Sequence, residues 1–133
     1  MLRLDLKAHQ NIAISYFLLA ALLGILLRLF YVTPVSGNYK YILHAHSHIA
    51  LLGWVYLALT GIIYRLFFHK TELSKKYLYI FLATNISLLG MLFSFPFQGY
   101  AVISIIFFHA FSLLLLFLCR FYFKKYSRKA PQN

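Results

Sequence analysis

Residues 11–32 read NIAISYFLLAALLGILLRLFYV, an apolar run interrupted by one charged residue, Arg28. A transmembrane α-helix needs about 20 predominantly apolar residues, so this run is long enough to cross a bilayer. Three further apolar runs of spanning length follow, over residues 41–68, 77–95 and 100–123. The sequence therefore predicts an all-α fold, an integral membrane four-helix bundle that forms a single domain over residues 1–133.

The composition also indicates that lipid surrounds most of the chain. Of the 133 residues, 62% are hydrophobic and only 11% are charged, whereas a soluble domain carries about 25% charged residues. The mean hydropathy is +0.77. Four spans leave only short connections, which excludes a soluble catalytic domain. The single cysteine, Cys119, excludes an internal disulfide, a CxxC zinc ribbon and covalent haem attachment through CxxCH.

The basic residues Arg3 and Lys7, ahead of the first apolar run, are similar to the start of a signal peptide. That run is long for a signal peptide and ends without a clear cleavage site. We therefore expect it to remain in the protein as the first span.

The net charge of +11 comes from 13 Lys and Arg residues against 2 Asp and Glu residues. In so apolar a chain this charge indicates membrane topology and contact with anionic headgroups, and not nucleic acid binding. The basic residues cluster before the first run, between the second and third runs, and after the fourth: Arg3, Lys7, Arg65, Lys70, Lys75, Lys76, Arg120, Lys124, Lys125, Arg128 and Lys129. Because Lys and Arg are enriched in cytoplasmic segments, both termini are predicted to be cytoplasmic.

The second apolar run opens with His44-Ala45-His46-Ser47-His48. Ionisable or metal-binding side chains inside a span are costly and usually functional. With about 3.6 residues per turn, His44 and His48 are predicted on one face of the helix and His46 on the opposite face. One helix could therefore present a ligand on each side. The alternative is that these histidines are only hydrated in the headgroup region.

Two classes of ligand suit these histidines. The i, i+4 pair His44 and His48 could chelate zinc or copper, since imidazole binds both metals. Neither acidic residue, Asp5 or Glu72, lies within a span to complete a site for a hard metal. Haem iron needs only one imidazole on each axial side. Histidines in an interior without carboxylates are sufficient for that. The expected cofactor is therefore non-covalent haem b, with copper or zinc as the alternative.

His109 and Arg28 are further candidate cofactor-binding residues. His109 is predicted about 12 Å from the outer end of the fourth span and His48 about 10 Å from that of the second, so the two could face each other across one haem. The alternative for His109 is a hydrogen bond to a backbone carbonyl or to Ser112. Arg28 could pair with haem propionates, helped by Lys40, or extend to the outer headgroups.

The remaining two histidines, His9 and His69, are expected outside the spans on the cytoplasmic side. We assign them no role.

The segment Leu43-His44-Ala45-His46-Ser47-His48, continued by Gly53-Trp54 and Gly61-Ile62-Ile63-Tyr64, resembles the second helix of the haem–copper oxidase subunit I superfamily. The resemblance covers about 25 residues and is greatest to the branch of nitric oxide reductases and cbb3-type oxidases. It implies that His44 ligates a low-spin haem. This chain has four spans, whereas family members have twelve or more, and it lacks the His-His pair of the family's later helix.

The resemblance implies a b-type haem protein of the bacterial inner (plasma) membrane, which acts in electron transfer or in binding or reducing a diatomic gas, O2 or NO. Its partner would be a respiratory-chain electron donor. Oxidoreductase activity is expected only if a complete haem or metal centre assembles in an oligomer. Two other functions stay open: a copper- or zinc-binding membrane protein that handles metal for a respiratory enzyme, and an accessory subunit of a respiratory complex.

The opposed histidine faces also predict an oligomer. If each second span donates one imidazole to a haem on either side, every protomer makes the same two heterologous contacts and a closed ring follows. Three four-helix units would give the twelve spans of the family's core, which is a pseudo-threefold arrangement of such units. We therefore expect a homotrimer, with ligation by His109 within one chain as the alternative.

The predicted topology can be tested with Ser36→Cys and Lys75→Cys, each combined with Cys119→Ser. A membrane-impermeant thiol reagent added outside intact cells should label the first variant and spare the second, because only residue 36 is predicted outside. Labelling of residue 75 alone would contradict cytoplasmic termini.

Overall fold

The structure is a computed structural model that describes residues 5–68 and 74–127. Over these ranges it contains helices and no strands. The elements are α1 (Leu6–Leu29), α2 (Tyr39–His48), a π-helical segment (Ile49–Val55), α3 (Tyr56–Phe68), α4 (Lys75–Gln98) and α5 (Val102–Ser127). The second predicted span corresponds to α2, the π-helical segment and α3 in direct succession. Arg3, His69, Lys70, Arg128 and Lys129 lie outside the described residues.

Four helical stretches are long and apolar enough to cross a membrane: Leu6–Leu29, Tyr39–Leu66, Lys75–Gln98 and Val102–Lys124. The prediction of an all-α fold with four helices of membrane-spanning length is confirmed. By helix length and composition the chain is a membrane protein.

The helix ends differ from those expected from hydropathy, because local capping sets them. The first helix begins at Leu6 and not at residue 11, since the Asp5 carboxylate accepts a hydrogen bond from the backbone N–H of Ala8 at 2.8 Å. An acidic N-cap of this kind satisfies one of the unpaired donors at a helix start. The third span continues past Pro96 to Gln98 and ends at Gly99, whose φ of +59° suits glycine.

Close approach of the spans depends on glycines that face aromatic side chains. A Cβ atom on Gly53 would lie 2.9 Å from the ring of Tyr16, and one on Gly90 would lie 2.4 Å from the ring of Phe107. Small residues let transmembrane helices pack at short distance. Gly53 thus brings the second span against α1, and Gly90 brings α4 against α5.

The π-helical segment is a feature that the sequence did not predict. Its hydrogen bonds span five residues, as when the backbone N–H of Tyr56 donates to the carbonyl of Leu51. An α-helical bond spans four residues. The segment starts directly after His48, where the N–H of Ile49 is shared between the carbonyls of Ala45 and His46. Short π-helical stretches are rare and frequently occur at functional sites.

Candidate ligand site at the histidine motif

His46 lies between α2 and α1. Its Nδ1 atom is 2.9 Å from the backbone carbonyl oxygen of Ala20. Gly24 leaves room for the ring, because a Cβ atom there would lie 3.3 Å from Cε1 of His46. A carbonyl oxygen only accepts hydrogen bonds, so Nδ1 carries the proton and Nε2 keeps a free lone pair. The half-buried imidazole of His46 is thereby held in the tautomer with an unprotonated Nε2.

His44 and His48 lie on the other side of the same helix, towards the end of α4 and the start of α5. The Nδ1–H of His48 donates to the backbone carbonyl of His44 at 2.8 Å. The His48 ring packs on Phe95 and Phe108, with ring centroids 4.6 and 5.6 Å away. His44 presents its ring to Tyr100 at 4.5 Å between centroids. The motif thus has two faces, as the helical periodicity of the sequence implies.

Tyr100 covers the face that carries His44 and His48. Its hydroxyl lies 3.3 Å from Nε2 of His48. Since Nδ1 of His48 holds the proton, Nε2 accepts this hydrogen bond and the phenol donates it. Tyr100 directly follows the helix-ending Gly99 and stands in a short turn, where the Ser104 hydroxyl donates to the Gly99 carbonyl. Sequence reasoning did not single out Tyr100, although its position directly after Gly99, in the turn that reaches the level of the histidines, was the available signal.

His109 faces away from this site. It is exposed on α5, and its Nδ1–H donates to the backbone carbonyl of Ile105 at 2.8 Å. The sequence-based alternative of a hydrogen bond to a backbone carbonyl is therefore the arrangement observed. His48 contacts the neighbouring Phe108, and the structure does not bring His48 and His109 together across a shared space.

Arg28 is exposed in the last turn of α1, where the negative end of the helix dipole favours a cation. It is close enough to Tyr39 for an electrostatic interaction. Lys40 is exposed in the first turn of α2, and its backbone N–H donates to the side chain of Asn38 at 3.0 Å.

The described ranges contain no group of three or more His, Cys, Asp or Glu side chains that could hold a metal ion. Of the four candidate histidines, only His44 and His48 share a face of the bundle. A metal site built from imidazoles and carboxylates alone is therefore not formed within this part of one chain.

A second polar cluster, which sequence reasoning missed, lies at the other end of the bundle around His9. The expectation that His9 stands outside the spans is wrong, because α1 already begins at Leu6 and His9 is fully buried. Its Nε2 atom is 3.0 Å from the hydroxyl of Tyr77, and its ring packs on Phe81 at 4.5 Å. Its Nδ1 atom has no hydrogen-bond partner and faces Gly61. The hydrogen bond between His9 and Tyr77 connects α1 with α4.

Comparison of the chain with protein-family models, with curated proteins and with solved structures finds no match.

The hydrogen bond between His9 and Tyr77 predicts that two tyrosines of α4 contribute differently to the free energy of unfolding. Tyr77→Phe should lower the free energy of unfolding by about 1 to 3 kcal/mol, because it leaves a buried imidazole with neither nitrogen paired. Tyr79→Phe is the matched control, since Tyr79 is 72% exposed. Unfolding in mixed micelles measures both changes, and equal losses in the two variants would contradict the stabilising role of the His9–Tyr77 pair.

Proposed function

We propose that this protein is a haem b protein of the bacterial inner membrane, acting in electron transfer or in binding or reducing a diatomic gas. The observation that carries the proposal is the hydrogen bond from Nδ1 of His46 to the carbonyl of Ala20, 2.9 Å long. Histidines that ligate a metal almost always donate their second ring N–H to a carbonyl, a carboxylate or water. That bond fixes the ring and its tautomer before any iron binds.

The groups around His46 suit haem better than a site for a hard metal. Haem iron needs an imidazole and an apolar surrounding, and the neighbouring positions on α1 are the small residues Ala20 and Gly24. Arg28, in the last turn of α1, is the cation available to haem propionates. Bound haem would supply one-electron redox chemistry or a coordination position for a gas.

His44 and His48 are the other ligand candidates from the sequence, and His44 is the one that the family resemblance implies. The hydroxyl of Tyr100 already occupies the Nε2 side of His48. A groove of about 180 Å³ next to His48 is smaller than the roughly 300 to 1,000 Å³ of small-molecule pockets. The hydroxyl of Tyr100 at Nε2 of His48 therefore favours the His46 face for haem.

A second imidazole for the haem would be supplied by another copy of the chain. His44 and His48 are turned away from His46, whereas His109 is exposed on the surface of α5 with its Nδ1 already paired. A copy that offers His46 in one interface and His109 in the other makes a heterologous contact, and such contacts form a ring when the rotation between copies closes. We propose a homotrimer with a respiratory-chain electron donor as partner, and redox catalysis only in that assembly. The basic clusters support cytoplasmic termini.

The haem proposal is tested by expressing the full chain with adequate haem and recording the optical spectrum after purification. The wild-type protein should show a Soret band. His46→Gln should lower haem per chain by roughly tenfold or more, because loss of an axial imidazole removes the iron–protein bond. His69→Gln should leave it unchanged, since residue 69 is predicted at the opposite membrane surface.

A purified wild-type protein without a Soret band would overturn the haem proposal. A haem-loaded His46→Gln variant would remove His46 from the ligand set. Native mass spectrometry of the haem-loaded protein should report three copies, and a monomer with full haem content would contradict the trimer.

A further inference from the structure

Three side chains with metal-binding atoms meet on the face of α2 opposite His46. They are the imidazoles of His44 and His48 and the phenol of Tyr100. The rings of His44 and His48 lie 4.5 and 5.9 Å from the Tyr100 ring, between centroids. Two histidines at i and i+4 on one helix face are the spacing by which helical zinc sites hold their metal. Tyr100 adds an oxygen from the turn between α4 and α5.

The distance between the two nearest donor atoms fits a shared ion. Nε2 of His48 and the hydroxyl oxygen of Tyr100 are 3.3 Å apart. Zinc–nitrogen bonds of about 2.0 to 2.1 Å and zinc–oxygen bonds of about 2.0 to 2.2 Å place two such ligands roughly 3.3 to 3.5 Å apart in a tetrahedral site. The hydrogen bond therefore holds the two atoms at the separation that a bound ion requires.

The protonation states are also suitable. Nδ1 of His48 donates to the carbonyl of His44, so Nε2 is the unprotonated ligand atom, and the carbonyl acts as the second-shell partner that orients the ring. Within residues 5–68 and 74–127, the ring nitrogens of His44 have no hydrogen-bond partner, which leaves a lone pair available. Binding of a divalent ion would displace the phenol proton of Tyr100 to water, and the phenolate would offset one positive charge.

Aromatic rings flank one of the three donors, and another donor is exposed at the end of the bundle. The rings of Phe95 and Phe108 flank His48, while Tyr100 is 53% exposed at the end of the bundle. This exposure leaves one side of the donors uncovered by the described part of the chain. Three protein ligands with a fourth position open to water is the arrangement of reactive zinc sites.

We propose that His44, His48 and Tyr100 form a binding site for one divalent late transition-metal ion, of the Cu²⁺ and Zn²⁺ class. The site is separate from the haem proposed at His46 and does not depend on it. Imidazole binds both ions, and Cu²⁺ has the higher affinity for nitrogen and oxygen donors.

The test uses the full chain in lipid nanodiscs, without haem and treated with a chelator that is then removed. Cu²⁺ alone is titrated and followed by isothermal calorimetry and by visible absorption. The wild-type protein should bind one ion per chain and gain a phenolate-to-copper absorption band. Tyr100→Phe should abolish the band and weaken binding at least tenfold, because it removes only the ligand oxygen.

His44→Gln and His48→Gln should weaken binding by a similar factor. Tyr79→Phe is the matched control for Tyr100→Phe, since Tyr79 is 72% exposed and away from the three donors, and it should change nothing. Zn²⁺ should compete with Cu²⁺ for the site. Far-ultraviolet circular dichroism establishes that each variant keeps its helices. The proposal is overturned if Tyr100→Phe binds Cu²⁺ with the same affinity and absorption as the wild type, or if Tyr79→Phe loses as much binding as Tyr100→Phe.

Haem content measured in the same variants separates this proposal from the haem proposal. Tyr100→Phe should keep its full haem content, because the phenol lies on the face away from His46. A wild-type protein that binds haem and no Cu²⁺ contradicts the metal site alone, and one that binds Cu²⁺ and no haem contradicts the haem proposal alone.

Discussion

The lack of water in a bilayer interior is the constraint on which the arrangement of the histidines depends. A ring N–H within a span is stabilised by an acceptor in the protein, since an unpaired polar group in hydrocarbon costs several kcal/mol. His46, His48 and His109 all meet this demand by donating from Nδ1 to a backbone carbonyl. The same bond sets the tautomer in each ring, so all three retain an unprotonated Nε2.

These shared tautomers do not make the three histidines equivalent. His46 is bonded to a neighbouring helix through Ala20, so its position depends on the packing of α1 against α2. His48 and His109 are each bonded to a carbonyl four residues earlier in their own helix, and that contact needs no tertiary structure. The hydrogen bond between His46 and Ala20 therefore says more about the site than the other two bonds do, because the fold itself positions the His46 ring. Gly24 is part of that arrangement, since its missing side chain leaves space for the ring.

Hydropathy was sufficient to predict the four spans, because a membrane helix requires only length and apolar composition. Helical periodicity likewise predicted that His46 is opposed to His44 and His48. Features that depend on contacts between distant residues were not predictable in this way. Tyr100 reaches His48 through the turn after α4, and His9 became buried because Asp5 caps α1 earlier than the hydropathy suggests. The π-helical segment has no sequence signature, although Gly53 within it packs on Tyr16.

His46 presents an unprotonated Nε2 because its Nδ1–H donates to the Ala20 carbonyl of α1. Solid-state ¹⁵N NMR of the histidine-labelled protein in lipid bilayers measures this directly, with His46→Gln used to assign the signals. The account predicts a protonated Nδ1 and an unprotonated Nε2 for His46 in the absence of any cofactor. A protonated Nε2 with an unprotonated Nδ1 would contradict this expectation, because the bond to Ala20 and the proposed ligand role of Nε2 would then both be lost.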